Sequence, residues 1–383
     1  MNGHRLTHDL FFYLGLLLIF LPFAGKRLYL IPLVILIVWG VRRFARFAGE
    51  NPAVIGFRER TVRAIVSRQR LSVTLLLAVA VVLPLVSSNY LTEILTSALL
   101  YAILASALNI TVGLTGILVL GFIGFYAVGA YTTGILTAKF AICGFWAALP
   151  LSGLAAMLCG ILLGIPALRL KGDYLAVVTL GFGEIIRIFL TNLDRFTGGP
   201  NGILGIRRPA IGPWAISQPR EFYWFALVCL ALVVLIVSRI VNSRYGRAWI
   251  AIRENEMAAG ALGINVFRKH LLSFSLSAFF AGIAGSLFAV KQGFISPDSF
   301  TFYESVLVLC MVVLGGIGNV LGAVTGAFLL IVLPEFLREF AMYRMLVFGG
   351  VMIAFMVFRP HGLLGSRLIT REIEDVEDAG TTQ

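Results

Sequence analysis

The chain has 383 residues, of which 59% are hydrophobic and 13% charged, and its formal net charge is +12. Soluble domains carry roughly a quarter charged residues, so this composition excludes an ordinary soluble protein and indicates that lipid is the main solvent. The apolar runs are continuous rather than alternating, which excludes a membrane β-barrel and favours helices.

The predicted fold class is therefore all-α, a polytopic integral membrane helical bundle. A spanning helix needs about 20 mainly apolar residues, and on that basis we expect about ten to twelve membrane segments. Several runs are short or interrupted by glycine, which predicts that some are re-entrant or cross half of the membrane. The candidates lie near residues 9–24, 28–40, 72–89, 91–112, 117–137, 146–169, 174–193, 222–241, 271–290, 303–315, 319–337 and 342–358.

The order of these runs predicts four regions. Residues 1–40 hold two apolar runs and lack a small-residue cleavage site, which favours a retained N-terminal membrane hairpin over a signal peptide. Residues 41–70 contain eight arginines and predict a cytoplasmic linker on the membrane surface. The transmembrane domain is predicted at 71–360, with a loop at 243–270. Residues 361–383 are predicted to be an acidic, disordered cytoplasmic tail.

Basic residues cluster in 41–70, 239–270 and 359–371. An excess of Lys and Arg marks cytoplasmic loops, and the predicted spans place all three clusters on the same side of the membrane. Both termini are therefore predicted to be cytoplasmic, and the basic charge is expected to contact anionic lipid rather than nucleic acid. The four cysteines lie singly in apolar runs and predict no metal site.

Glycines at 113, 116, 121, 124 and 129 mark an unusual stretch. Each glycine inside a helix costs about 1 kcal/mol relative to alanine, so this stretch predicts a broken helix or a wall where backbone meets substrate. Close helix packing is the alternative interpretation. Close packing is also predicted at Gly160 and Gly164, and on a helix face formed by glycines 318, 322 and 326.

Glu184 and Arg187 stand three residues apart, where they would pair on one face of a helix. Ionisable groups inside a membrane usually face a bundle interior or an aqueous path, so this helix is predicted to border the transport path. A structural pair near the membrane surface is the alternative. The residues predicted to line the path are Asn109, Thr115, Gly121, Gly124, Thr179, Gly181, Gly183 and Glu184.

A polar stretch at 244–264 lies between two long apolar runs. Its small residues would allow close approach to a soluble partner and its charges would set the register, whereas a solvated connecting loop is the alternative. No P-loop, HExxH, GxSxG or strand-linked GxGxxG motif occurs, so we expect neither catalysis nor ATP binding by this chain. The predicted partner-contact residues are Arg247, Arg253, Glu254, Glu256, Ala258, Ala259, Gly260 and Gly263.

The polar stretch resembles the "EAA" loop of ABC-importer permeases, with Met257 separating the acidic residue from the alanines. More of the chain is similar to the branched-chain amino acid permeases, in the order that this family has, and the resemblance covers most of 90–360. The similar blocks are 109–136, 168–190, 197–203, 246–289 and 315–323.

The resemblance implies an ABC-importer permease fold and a LivM-type subunit in the bacterial inner membrane. It further implies a LivH-type permease partner, two cytoplasmic ABC ATPase subunits that bind ATP and magnesium, and a periplasmic substrate-binding protein. The partner-contact residues above would then couple the permease to the ATPases. The implied cargo is leucine, isoleucine and valine. Urea or short amides, an ion-coupled transporter that uses Glu184, and a scaffold without transport are the alternatives.

Overall fold

The computed structural model describes residues 81, 84–85, 88–170, 172–211, 214–216, 218–336, 349–350 and 362–363. The hairpin predicted at 1–40 and the linker predicted at 41–70 lie outside these residues. So do nearly all of the tail predicted at 361–383 and most of the spans predicted at 72–89 and 342–358.

The described residues form eleven α-helices and four two-residue strands. The helices are α1 (Asn89–Asn109), α2 (Ile123–Gly134), α3 (Phe145–Ala167), α4 (Asp173–Asn192), α5 (Asp194–Thr197), α6 (Pro219–Val241), α7 (Arg244–Glu254), α8 (Glu256–Ala261), α9 (Val266–Gln292), α10 (Phe302–Gly315) and α11 (Val320–Phe336). The strands are β1 (Ile203–Leu204), β2 (Ala210–Ile211), β3 (Trp214–Ala215) and β4 (Phe294–Ile295).

Six segments within this part of the chain are long and apolar enough to cross a membrane, which confirms the polytopic helical fold. They are Asn89–Leu114, Phe145–Ala167, Asp173–Asn192, Pro219–Val241, Val266–Gln292 and Pro297–Gly315.

The run predicted as a span at 117–137 is not one continuous helix. A π-helical turn, Ile110–Leu114, extends α1, the chain then leaves the helix, and α2 begins at Ile123. Hydropathy alone does not reveal this break, because it measures composition and does not register a change of backbone path. The break itself agrees with the glycine-rich pattern.

Helices α1 and α9 form the centre of the bundle. Their most apolar windows are 78% and 67% buried, whereas those of α4 and α6 are 28% buried. Small residues let α3 approach α9 closely, because a Cβ at Gly160 would touch the Cβ of Ala278 and one at Gly164 would touch Leu271. The opposite side of α3 exposes Leu158 and Leu162, as expected for a surface in contact with lipid or a second membrane subunit.

Helices α10 and α11 also meet through glycine, and two of the three predicted glycines form the contact. A Cβ at Gly322 would collide with the Gly315 carbonyl oxygen, and one at Gly326 would collide with that of Met311. Gly318 lies outside the helix, in the preceding turn, with φ of +86°. Its place in the predicted glycine face was wrong, since regular spacing cannot show where a helix begins.

The glycine- and proline-rich stretch at 194–221 contains turns, α5 and short strands. Strand β1 pairs antiparallel with β4, which follows α9, in the register Ile203 to Ile295. Gly202 adopts φ of +69°, and a Cβ there would collide with the Ile295 carbonyl oxygen. Glycine is required here by both the conformation and the close approach. The pairing fastens this stretch to the end of α9.

Candidate transport path and coupling surface

The end of α1 is joined to the turn between α10 and α11. Asn109, which is 1% exposed, accepts a hydrogen bond at Oδ1 from the Gly318 backbone N–H at 2.9 Å. Thr115 is also buried, and its hydroxyl donates to the Thr111 carbonyl oxygen at 2.7 Å. These two predicted path residues therefore fix the backbone where α1 ends, and their polar groups are already used within the protein.

The chain between α1 and α2 packs directly on α4. The Leu120 backbone N–H donates to the Thr179 hydroxyl at 3.1 Å, and a Cβ at Gly121 would collide with the Thr179 carbonyl oxygen. Gly183 faces Gly121 from α4, and Gly124 faces the ring of Phe182. The structure thus brings four predicted path residues together. The bare glycine backbone here allows the chain and α4 to pack closely, which agrees with the alternative interpretation of the glycine-rich stretch.

Gly181 and Glu184 lie apart from this contact. A Cβ at Gly181 would meet open space. Glu184 accepts a hydrogen bond from Arg187 Nε at 2.9 Å, which confirms the predicted pairing, and both side chains are about one third exposed. Because its charge is balanced by a neighbour on the same helix, this carboxylate is a poor candidate for an ion-carrying group.

Helix α7 is anchored to the start of α9. Ser243 caps it by accepting from the Tyr245 backbone N–H at 3.2 Å. Trp249 is 1% exposed and donates its indole N–H to the Lys269 carbonyl oxygen of α9 at 2.9 Å. Ile252 is 3% exposed on the same face. Trp249 therefore fixes α7 against the start of α9 by close packing and a hydrogen bond.

Helix α8 projects from that anchor. Asn255 separates the two helices and caps α8 by accepting from the Ala258 backbone N–H at 3.0 Å. Met257 and Leu262 are 84% and 82% exposed, and a Cβ at Gly260 would meet open space. Large apolar side chains exposed among charged residues make this surface a candidate for contact with a protein partner. The exposed residues predicted for coupling are Glu254, Glu256, Ala258, Gly260 and Gly263, whereas Ala259 packs inward.

Arg253 links this projecting surface to the broken helix. Its Nη1 donates to the Gly113 carbonyl oxygen at 2.5 Å, and its Cγ lies 3.2 Å from where a Cβ of Gly116 would stand. Gly116 has φ of +74°, and it directly precedes the part of the chain that leaves the helix. Sequence reasoning named Arg253 but missed this contact, because nothing in either stretch signals a partner 140 residues away.

A basic cavity of about 780 Å³ lies beside α7, between it and the first turns of α9. It carries four cationic side chains and includes the predicted coupling residues Arg247 and Gly263. Such a surface suits an acidic partner segment or lipid head groups. The lining residues are Arg244, Arg247, Ala248, Gly263, Ile264, Asn265, Arg268, Lys269 and Leu272.

Comparison with known proteins gives consistent matches. A family model described as branched-chain amino acid transport system / permease component matches residues 90–356. The chain is 46% identical over 320 residues to the high-affinity branched-chain amino acid transport permease LivM of Salmonella typhimurium, and equally to that of Escherichia coli, covering 78% of this chain and 75% of each relative. It is 28% identical over 225 residues to the autoinducer 2 import permease LsrC of Salmonella typhi, covering 55% of this chain and 62% of that relative.

Proposed function

The chain belongs to the branched-chain amino acid transport permease family, and from that premise we propose that it is a LivM-type subunit importing leucine, isoleucine and valine. It pairs with a LivH-type permease in the bacterial inner membrane and has both termini in the cytoplasm. Two ABC ATPases drive it and bind the ATP and magnesium, while this chain binds no cofactor. A periplasmic binding protein delivers the substrate.

One observation carries the coupling part of this proposal: α8 exposes an apolar surface while α7 behind it is anchored and touches the broken helix through Arg253. In the proposed cycle, ATP binding closes the ATPase dimer and displaces α8. Helix α7 passes the motion to α9 through Trp249 and to the Gly113 backbone through Arg253. The break lies against α4, so its movement reshapes the bundle interior.

The alternatives differ in driving force or in substrate. An ion-coupled transporter would need a carboxylate free to bind a proton or sodium, and the Glu184 carboxylate is paired with Arg187. Urea and short amides remain substrates to test within the same family.

The deciding experiment is purification of the tagged chain from its native membrane, followed by reconstitution in liposomes. We expect a second permease and two P-loop ATPases to accompany it. Leucine uptake should require both ATP and the binding protein. Uptake that persists without ATPases and collapses with an uncoupler would overturn the proposal, and uptake of urea in place of leucine would correct the substrate.

A further inference from the structure

A stripe of polar groups runs along the start of α1, at the end of the bundle opposite α7. Glu93, Ser97 and Tyr101 follow one another at intervals of four residues and therefore share one face of the helix. Lys291, at the end of α9, and Glu304, in the first turn of α10, both contact this face. We call Ser97, Tyr101, Lys291 and Glu304 the polar stripe.

The two charges of the polar stripe are held separately, each by one hydroxyl group of α1. Lys291 Nζ donates to Ser97 Oγ, and the Ser97 hydroxyl donates in turn to the Glu93 carbonyl oxygen at 3.1 Å. Tyr101 donates its hydroxyl to Glu304 Oε2 at 2.6 Å. A lysine that merely reached for water at a helix end would not be tied to a neighbouring helix in this way.

Lys291 and Glu304 do not form an ion pair. Among the described residues, the salt bridge within 4.0 Å joins Arg187 to Glu184. Ser97 and Tyr101, which hold the two charges, are one helical turn apart, so their Cα atoms are separated by about 6 Å along the axis. All four residues of the polar stripe are half-buried, so each keeps part of its surface accessible. Charges kept apart and accessible at the end of membrane spans indicate a ligand that carries both signs.

Aromatic side chains adjoin the cationic end of the polar stripe. Phe288 precedes Lys291 by three residues and shares its face of α9. Its ring lies 5.3 Å from that of Tyr126 and 5.9 Å from that of Phe300, centre to centre. Tyr126 and Phe300 are buried, whereas Phe288 is half-buried and offers an apolar surface beside the charges.

We propose that the polar stripe is a binding site for an α-amino acid zwitterion. Lys291 binds the α-carboxylate, Glu304 binds the α-ammonium group, and Phe288 contacts the aliphatic side chain. Ser97 and Tyr101 position the two charged groups. Each charged group of an α-amino acid would form a charge-assisted hydrogen bond of about 2.8 Å with Lys291 or Glu304. Glu93 also lies near Lys291 but is exposed, so solvent screens it. This inference rests on the proposed function and names its substrate contact.

The test uses the complete transporter in liposomes, with leucine, ATP and the binding protein. Glu304→Gln and Lys291→Met should each lower leucine transported per ATP hydrolysed about tenfold, the effect of losing one hydrogen bond to a charged group. Lys139→Met is the matched control, because this exposed lysine donates a hydrogen bond to the Asp194 carbonyl oxygen, and its ratio should equal that of wild type. Ratios within twofold of wild type in both site variants would overturn the proposal.

The double variant separates ligand binding from mutual charge compensation. Two ligand contacts predict a loss of about a hundredfold in Glu304→Gln/Lys291→Met, because independent effects add in free energy. If Lys291 and Glu304 only compensate each other's charge, leucine transport per ATP should recover in the double variant. That result would overturn the proposal. Lys291→Arg keeps the charge and should restore transport in part. The wild-type complex tests the proposed function by itself: if it fails to carry leucine, that function is wrong whatever the variants do.

Photocrosslinking provides a measurement that does not depend on variants. A leucine analogue with a diazirine side chain, supplied to the wild-type complex, should label peptides around Phe288 and Tyr101 and be displaced by excess leucine. Labelling confined to other helices would place the substrate elsewhere and overturn the assignment.

Discussion

Single residues make the connections that join distant parts of this bundle. Arg253 reaches from α7 to the Gly113 carbonyl oxygen, and Asn109 accepts from the Gly318 N–H. Both contacts satisfy backbone groups where a helix stops, which is where unpaired groups are most costly in a membrane. The side chains therefore fix the geometry of the break between α1 and α2.

Arg253→Met should uncouple ATP hydrolysis from transport. The variant keeps most of the side-chain volume but loses the hydrogen bond to the break, so leucine transported per ATP should fall about tenfold while hydrolysis continues. Arg253→Lys should recover part of the loss. The measurement is the transport-to-hydrolysis ratio in liposomes.

Arg239→Met is the control for this prediction, since Arg239 is an exposed cation at the end of α6. A normal ratio in Arg253→Met, or an equal fall in Arg239→Met, would contradict a specific role for Arg253.

Trp249→Ala should destabilise the protein by about 3–5 kcal/mol, because a buried ring and a hydrogen bond to α9 are both removed. We expect a clear fall in the thermal unfolding temperature of the purified complex. Trp249→Phe should be milder, since it retains most of the packing. Equal stability of Trp249→Ala and wild type would show that α7 is anchored by other contacts.

At the scale of elements, backbone contact between helices determines how the bundle is assembled. Helices α10 and α11 touch at glycine carbonyl groups, and the break after α1 touches α4 in the same manner. In lipid, where apolar burial gives no preference for a protein neighbour, such close packing supplies much of the association energy.

Gly326→Leu should therefore separate α10 from α11, since any Cβ at this position collides with the Met311 carbonyl oxygen. We expect a lower thermal unfolding temperature of the purified complex. Gly181→Ala is the matched control for stability, because its Cβ meets open space and alanine favours a helix. The packing argument fails if Gly326→Leu is as stable as wild type.

Substitutions in α8 should leave the protein folded and in the membrane but should abolish transport. Glu256→Lys reverses an exposed charge, and Gly260→Leu adds bulk where a Cβ meets no atom of the described residues. We expect uptake of labelled leucine to be abolished in cells while the protein reaches the membrane at normal levels by immunoblot. Unchanged uptake in both variants would exclude α8 as the coupling surface.

At the scale of the whole molecule, the sequence predicted what depends on neighbours along the chain. The Glu184–Arg187 pair, the polar stretch now seen as α7 and α8, and a helix broken by glycine follow from local spacing and composition. The sequence did not predict contacts between distant segments, such as the hydrogen bond from Arg253 to the Gly113 carbonyl oxygen. Lys291 and Glu304 were missed because each stands alone at the end of an apolar run, where charged residues are common.

Helix α9 extends from the residues just after α8 to the strand that pairs with β1. With 27 residues it is a continuous rod of about 40 Å, long enough to reach both surfaces of a bilayer. If this rod transmits force, thermodynamic linkage makes the transmission reciprocal. In the proposed transporter, the factor by which nucleotide changes the affinity for the binding protein must equal the factor by which the binding protein changes the affinity for nucleotide. The outside of the cell would then influence the ATPases as strongly as the ATPases influence the outside.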